Sequence, residues 1–186
     1  ALHDAGSGRG NVVGICASPG LGKSRLCFEF AERCRERHIP VLEARASPYD
    51  YSGPLQPLLE FLRAFFRIQP QDSKEAARAR IVAGVEAISP ALSDDIAALT
   101  DILGVADAKS AAPKLDPKAK HARLVKAIGN LVREGGRMPA LIMIEDIHWL
   151  DEGSQAFITT LVEAGAQTHV LVLLTYPPDY EPPWKT

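Results

Sequence analysis

A short run of residues near the start of the chain has the types and the spacing that bind polyphosphate. Gly20 and Gly22 lack a Cβ atom, so the backbone can take positive φ and let an anion approach its N–H groups. The ammonium of Lys23 would reach the β and γ phosphates, and the hydroxyl of Ser24 would take one coordination position on Mg²⁺. A helix that begins there adds the positive end of its dipole. The pattern predicts a site for a nucleoside triphosphate with Mg²⁺.

The same run is a Walker A motif with Ala17 where the motif usually opens on glycine. A match of this kind arises by accident in a chain of this length on the order of once in a hundred times. An ordinary glycine turn before a helix is therefore the less favoured interpretation. The predicted nucleotide-binding residues of this segment are Pro19, Gly20, Leu21, Gly22, Lys23, Ser24 and Arg25.

Two adjacent carboxylates, Glu145 and Asp146, follow the apolar run ALIMI at residues 140–144. Carboxylates at the tip of a buried strand are costly unless they meet a cation. In the Walker B arrangement one of them holds Mg²⁺ and the other orients and deprotonates an attacking water. Position assigns Mg²⁺ to Glu145, together with Ser24, and the role of base to Asp146. The reverse assignment stays open, and so does a structural one in which both acids cap a helix or are solvated.

Five further polar side chains fall where strands end or in the loops that follow. Thr175 closes the apolar run THVLVLLT, where it either senses the γ-phosphate or is an ordinary strand residue. Arg45, Tyr49 and Tyr51 lie at the end of a predicted strand or in the next loop, and either contact nucleotide or pack the loop. His148 is expected to be a hydrogen-bonded loop residue and not a catalyst.

The chain contains four apolar runs, at residues 11–17, 41–46, 140–144 and 168–175. Runs of this kind are typical of parallel strands buried on both faces, and we expect the first to be central in the sheet. Helical patterns separate the runs, which predicts an α/β fold with a mainly parallel sheet. The carboxyl ends of such strands collect ligands, so the strands would bring the phosphate turn and the acids together.

The longest separation, between the second and third strands, is helical. Residues 58–68 form an apolar helix, and residues 73–104 contain two helical segments broken at Ser89 and Pro90. A linker over residues 108–117 leads to a helix over residues 118–133. We expect a helical insertion at about residues 70–120.

Two helices flank the candidate site. The helix over residues 23–37 is amphipathic and is expected to bury Leu26, Phe30 and Cys34 on one side. The helix over residues 152–164 begins after Asp151, which is either its N-cap or a functional residue.

Composition bounds the class of protein. The 186 residues fit one domain, and the net charge of −2 gives no basic field, so no nucleic-acid partner is expected. No apolar run approaches the roughly 18 residues of a membrane span and no signal peptide opens the chain, so we expect a cytoplasmic protein without membrane contact. The three cysteines lack metal-ligand spacing and are expected to be free thiols. The glycine-rich start and the proline-rich end lead us to expect a piece of a longer protein.

Three stretches carry a family resemblance: ASPGLGKSRL at 17–26, LIMIEDIHWLD at 141–151 and LVLLTYPPDYEPPW at 171–184. With them the chain resembles the ATPase domains of the signal-transduction branch of AAA-like P-loop NTPases. It is most similar to modules attached to class III adenylate cyclases and to large bacterial transcription regulators. The resemblance implies a three-layer αβα sandwich in which the fourth strand lies between the Walker A and Walker B strands. It also implies ATP and Mg²⁺ as cofactors, covalently linked signalling domains as partners, and an oligomer as one state of assembly.

The chain departs from the family pattern in two places. Pro177 stands where family members commonly carry an arginine after the strand-end aromatic, and the glycine-arginine motif ahead of the first strand is absent. Our first hypothesis is a regulatory module that binds MgATP and hydrolyses it slowly. The alternative is a switch that binds nucleotide without turnover, and a weaker third is a small-molecule kinase, for which no lid arginines stand out.

Overall fold

The computed structural model describes residues 5–48, 55–107 and 116–182 of the chain. Tyr49 and Tyr51, whose contact with nucleotide the sequence left open, lie outside these ranges. So do residues 108–115 of the predicted linker and the last two residues of the third resembling stretch.

The described strands form one parallel sheet. They are β1 (Asn11–Cys16), β2 (Val41–Arg45), β3 (Ala140–Glu145) and β4 (Val170–Tyr176), and their order across the sheet is β1-β4-β3-β2. All three strand pairs are parallel. The α/β class, the parallel sheet and the insertion of β4 between the Walker strands are confirmed.

The prediction that the first strand is central was wrong for the described sheet. Among the described residues β1 pairs with β4 alone and is therefore an outer strand of the sheet. Its apolar pattern has another cause, because Val12 packs into the core on one face of the sheet while Val13 and Ile15 pack into the core on the other. An apolar run reports that both faces are covered, and it says nothing about pairing at the edges.

Helix α1 (Lys23–Glu36) covers one face of the sheet. Its buried residues are Cys27, Ala31 and Cys34, which pack with Leu141 and Met143 of β3 and with the β4 residues on the same face. The buried stripe is centred one residue away from the predicted one. Leu26, expected inside, is 57% exposed, and Phe30 is only partly buried. Cys34 is buried as predicted.

The other helices cover the opposite face and complete three layers. They are α2 (Gln56–Phe65), α3 (Lys74–Ile88), α4 (Ile96–Ile102), α5 (Pro117–Gly135) and α6 (Glu152–Gly165). The first four lie between β2 and β3 in the chain, which confirms the helical insertion. Side chains from this layer join Ile142, Ile144 and Leu174 of the sheet in one apolar core. No helix in the described ranges is long and apolar enough to span a membrane.

Helix boundaries follow local capping chemistry. The break predicted at Ser89 and Pro90 is present, because the Ser89 hydroxyl accepts a hydrogen bond from Ala91 N–H and a 3₁₀ turn (Pro90–Asp95) begins there. Asp151 is the N-cap of α6, the structural one of its two predicted roles, and accepts a hydrogen bond from Ser154 N–H at 3.0 Å. These caps satisfy donors that the first helical turn leaves free.

Candidate nucleotide site

All four strands run in the same direction, so their carboxyl ends together form one edge of the sheet. The candidate residues meet at this edge. Ile15 is level with Thr175, and Arg45 is level with Glu145. The loop that follows β1 therefore opens at the same edge as the acid pair that closes β3. Only β4 separates the two, so their strands are two spacings, or roughly 10 Å, apart. A polyphosphate with a metal ion spans such a gap.

The loop between β1 and α1 has the backbone conformation that the glycines predict. Gly20 has a φ of 82° and Gly22 a φ of 85°, both in the left-handed region. A Cβ atom at either position would meet nothing within 4 Å, so the conformation, and not crowding, calls for glycine. Gly22 ends the loop, and α1 begins at Lys23. The N–H groups of its first turn are thus presented at the sheet edge.

Lys23 folds back over this loop. Its Nζ donates hydrogen bonds to the carbonyl oxygens of Ala17, at 2.6 Å, and Ser18, at 3.2 Å. The ammonium therefore lies at the mouth of the loop, held by two neutral acceptors that an anion with more charge could replace.

The other predicted residues of the segment differ in what holds them. Pro19 and Ser24 are exposed, and Leu21 is 74% exposed. Arg25 lies in the first turn of α1, where its Nε is 3.9 Å from a carboxylate oxygen of Glu29 in an exposed ion pair. All of them lie in the loop or in the first turn of α1, and their contact with nucleotide stays a prediction.

Glu145 lies on the face of the sheet that α1 covers. Side chains alternate along a strand, and Leu141 and Met143 both pack against α1, so Glu145 shares their face. The thiol of Cys27, one turn into α1, gives independent support. Burial raises its pKa to about 11, and the next contributions come from the charges of Glu145 and Asp146. The acid pair therefore lies beside the first part of α1, the helix that contains Ser24.

One carboxylate oxygen of Glu145 suits a cation. Oε2 is buried and accepts no hydrogen bond from the described residues. A buried carboxylate oxygen is stabilised by a positive ion, and Mg²⁺ prefers oxygen ligands such as this one and the Ser24 hydroxyl. The described ranges contain no group of three or more His, Cys, Asp or Glu side chains that could hold a metal. The remaining ligands would have to be phosphate oxygens and water, which is usual for Mg²⁺ at nucleotide sites.

Asp146 is held by both neighbouring strands. It adopts a left-handed conformation with a φ of 57°, and its N–H donates to Thr175 Oγ1 at 2.9 Å. Its carboxylate accepts a hydrogen bond from Arg45 Nη2 at 3.3 Å. Residues from the ends of β2, β3 and β4 are thus linked across the sheet edge.

Thr175 is fully buried, and its hydroxyl accepts the bond from the Asp146 backbone. The residue therefore fixes the turn that presents the acid pair. A contact between Thr175 and a γ-phosphate stays a prediction.

An aromatic cluster beside the acids was not foreseen. The ring of His148 lies 4.7 Å from that of Trp149 and 6.4 Å from that of Tyr180. His148 Nδ1 and Tyr180 Oη are buried without a hydrogen-bond partner among the described residues, so the hydrogen bond expected of His148 is not made through Nδ1 there. Burial also raises the pKa of Tyr180. No sequence pattern indicates this cluster, because Tyr180 lies 32 residues beyond His148 in a proline-rich stretch.

Comparison with known proteins agrees with the geometry. Residues 1–173 match the family model described as AAA ATPase domain. An uncharacterized protein of Rhizobium meliloti (strain 1021) is 29% identical over 180 residues, an alignment that covers 96% of this chain and 17% of that protein. The chain thus spans less than a fifth of the length of that relative. With a glycine loop and an acid pair at one edge of a parallel sheet, and with this match over most of its length, the chain belongs to the AAA ATPase domain family of nucleotide-binding P-loop proteins.

Proposed function

We propose that the chain binds MgATP and hydrolyses it slowly as a regulatory module. The observation that carries the proposal is the position of Glu145. Its Oε2 is buried and has no hydrogen-bond partner in the part of the chain that the structure describes, and it lies on the face covered by α1, at the sheet edge where the glycine loop opens. Burying a carboxylate oxygen there costs free energy unless a cation binds it, so packing alone does not account for Glu145.

Each residue has a role in this proposal. The N–H groups around Gly20 and Gly22 cradle the phosphates, and Lys23 leaves its two carbonyl acceptors to reach the β and γ oxygens. Ser24 and Glu145 hold Mg²⁺, which would neutralise charge on the phosphate oxygens. The N-terminal turn of α1 favours the remaining negative charge.

Hydrolysis is assigned to the second acid of the pair. The Asp146 carboxylate would orient a water molecule and accept its proton. The hydrogen bond from its N–H to Thr175 fixes the backbone from which this carboxylate projects.

Calorimetric titration with ATP, ADP and GTP, each with Mg²⁺, tests binding. We expect Lys23→Ala to abolish nucleotide binding, because the ammonium that lies at the mouth of the loop and would contact the β and γ phosphates is removed. Lys126→Ala is the matched control, since Lys126 is exposed on α5 in the insertion. Equal affinities for the wild type and Lys23→Ala would overturn the proposed site.

Phosphate release under excess MgATP tests the assignment of the acids. We expect Asp146→Asn to retain binding and to stop release, because an amide cannot accept the proton of the attacking water. Turnover equal to that of the wild type would contradict the role given to Asp146.

A switch that binds nucleotide without turnover is the alternative, and two observations favour it. Pro177 follows Tyr176 where related domains commonly carry an arginine, and the Asp146 carboxylate is already paired with Arg45. The same phosphate-release assay separates the two functions when it is repeated with added oligomerisation partners. Release in neither condition would favour the switch, and a phosphorylated acceptor metabolite would instead favour a small-molecule kinase.

We further propose that residues 1–186 form one domain of a longer signalling protein of the adenylate cyclase-associated type, with the linked domains as its partners and an oligomer as one of its states. The share of the Rhizobium relative that the chain covers, 17%, supports a multidomain setting. Sedimentation of the chain with and without MgATP would test whether nucleotide alone changes its state of assembly.

A further inference from the structure

We propose that Arg45 is the residue that distinguishes ATP from ADP in this domain. Its guanidinium would leave the Asp146 carboxylate and bind the terminal phosphate of ATP, which ADP lacks. The inference rests on the proposed function, because it requires a nucleotide at the glycine loop.

The register of the sheet places Arg45 at the right edge and on the right face. Arg45 closes β2 and is level with Glu145. Two residues earlier on the same face, Glu43 is 2.8 Å from Arg35 of α1. Since side chains alternate along a strand, Arg45 projects toward the face that α1 covers. Glu145 lies on that face as well, at the neighbouring strand end.

The reach that the exchange requires is already present. The Arg45 guanidinium crosses from β2 to contact Asp146 at the end of β3, a strand spacing of about 4.8 Å. A triphosphate that begins at the loop after β1 and shares a metal ion with Glu145 must end near the same strand. Arg45 and the terminal phosphate would therefore meet without any movement of the sheet.

The present partner holds Arg45 weakly. The ion pair with Asp146 is a single contact at 3.3 Å, and the Arg45 side chain is 65% exposed. Arg35, on the same side of the sheet, forms ion pairs with two carboxylates. Its Nη1 is 2.6 Å from Glu32 Oε1 and its Nη2 is 2.8 Å from Glu43 Oε1. A terminal phosphate carries more charge than one carboxylate and can accept two parallel hydrogen bonds from a guanidinium. It would therefore displace the Asp146 carboxylate from Arg45.

The exchange has a consequence for Asp146. While Arg45 holds its carboxylate, that group is neutralised and partly occupied as an acceptor. When Arg45 turns to the phosphate, Asp146 is released at the moment a γ-phosphate is present. In the ATP state both oxygens of the acid would then be available to water, whereas without the γ-phosphate Oδ2 is shared with Arg45.

The first test compares the dissociation constants of MgATP and MgADP by calorimetry. We expect Arg45→Gln to weaken MgATP binding about tenfold while MgADP binding changes little, because one charged contact to the terminal phosphate is lost. Arg45→Lys should retain part of the preference, since it keeps the charge without the fork. Arg33→Gln, an equal change in net charge on the exposed side of α1, is the control and should leave both constants unchanged.

The second test is a double-mutant cycle with Asp146→Asn, again read by MgATP affinity. Competition predicts that freeing Arg45 raises MgATP affinity more in the wild-type background than in the Arg45→Gln background. An equal rise in both backgrounds would mean that only the repulsion between Asp146 and phosphate was removed, and it would overturn the exchange. Circular dichroism and thermal unfolding of each variant confirm that the fold is retained.

The outcomes separate this inference from the proposed function. If the wild type binds neither nucleotide, or if Lys23→Ala binds as the wild type does, the proposed function itself fails. If binding depends on Lys23 but Arg45→Gln keeps the wild-type ratio of MgATP to MgADP affinity, only the role of Arg45 fails. A wild type that binds both nucleotides equally also overturns that role.

Discussion

At the scale of the residue, Cys27 connects packing with the charge of the site. Its side chain is fully buried near the start of α1. Burial is the main cause of its raised pKa, and the negative charges of Glu145 and Asp146 raise the pKa further. A neutral thiol fills this position without adding negative charge next to these carboxylates. The adjacent acids thus favour an uncharged side chain at this position of α1.

The raised pKa of Cys27 predicts a change of stability with pH. The thiol ionises near pH 9.0 when unfolded and near pH 11 when folded, so its contribution to stability is complete below pH 9 and is lost as the pH rises toward 11. Urea denaturation at several pH values should show the advantage of the wild type over Cys27→Ala shrinking across this interval. An advantage that stays constant would show that Cys27 ionises equally in both states.

Accessibility of the thiols provides a simple companion measurement. Cys16 is exposed, whereas Cys27 and Cys34 are buried. A thiol reagent should therefore modify one cysteine of the native protein rapidly and the other two only on unfolding.

At the scale of the element, the N-cap of α6 also joins two helices. The carboxylate of Asp151 accepts hydrogen bonds from the N–H and hydroxyl of Ser154 and, at 3.1 Å, from Leu55 N–H at the start of α2. Burial alone would raise the Asp151 pKa, but these bonds outweigh burial and lower it. One side chain thus fixes where α6 begins and how α2 approaches it.

We expect Asp151→Ala to lower the free energy of unfolding by about 1–2 kcal/mol, because a cap and a bridge are lost together. Asp116→Ala is the matched control, since Asp116 caps α5 through Ala119 N–H without such a bridge among the described bonds. Denaturant unfolding should show the larger loss for Asp151. Because its folded pKa is lowered, the contribution of Asp151 is present above its ordinary pKa of 3.8 and is lost as the pH falls below it. Equal losses for the two caps would contradict the bridging role.

At the scale of the whole molecule, the candidate site joins segments that lie far apart in the chain. Lys23 begins the helix that follows β1, and Glu145 ends β3. Strand β4, which separates β1 from β3, is the last of the described strands in the chain. Ligand binding at such a site stabilises the fold as a whole, because the site does not exist in the unfolded chain.

MgATP should therefore raise the unfolding free energy by about 2.7 kcal/mol when its concentration is a hundred times its dissociation constant. We expect Lys23→Ala to lose this stabilisation, and Glu145→Gln to lose only the part that depends on Mg²⁺. Thermal unfolding with ATP in the presence of Mg²⁺ or of EDTA measures both parts. Stabilisation of Glu145→Gln by Mg²⁺ equal to that of the wild type would remove Glu145 from the metal site.

The sequence by itself determined the parts of this protein that depend on local chemistry. Glycines that take positive φ, the start of α1 at Lys23, the cap at Asp151 and the acids at the end of an apolar strand are all set by neighbouring residues. The family resemblance added the order of the strands, which hydrophobic periodicity alone does not specify.

Only the tertiary structure decided which distant groups meet. It made β1 an outer strand of the described sheet, and it buried Cys27 of α1 in place of Leu26. It also paired Arg45 with Asp146 across 101 residues of chain. Periods of 2 and 3.6 residues reveal that an element has a buried side, but they do not reveal what covers it. The choice of partners depends on packing among all elements at once, and for that reason the connection from Arg45 to the acid pair could not be read from the sequence.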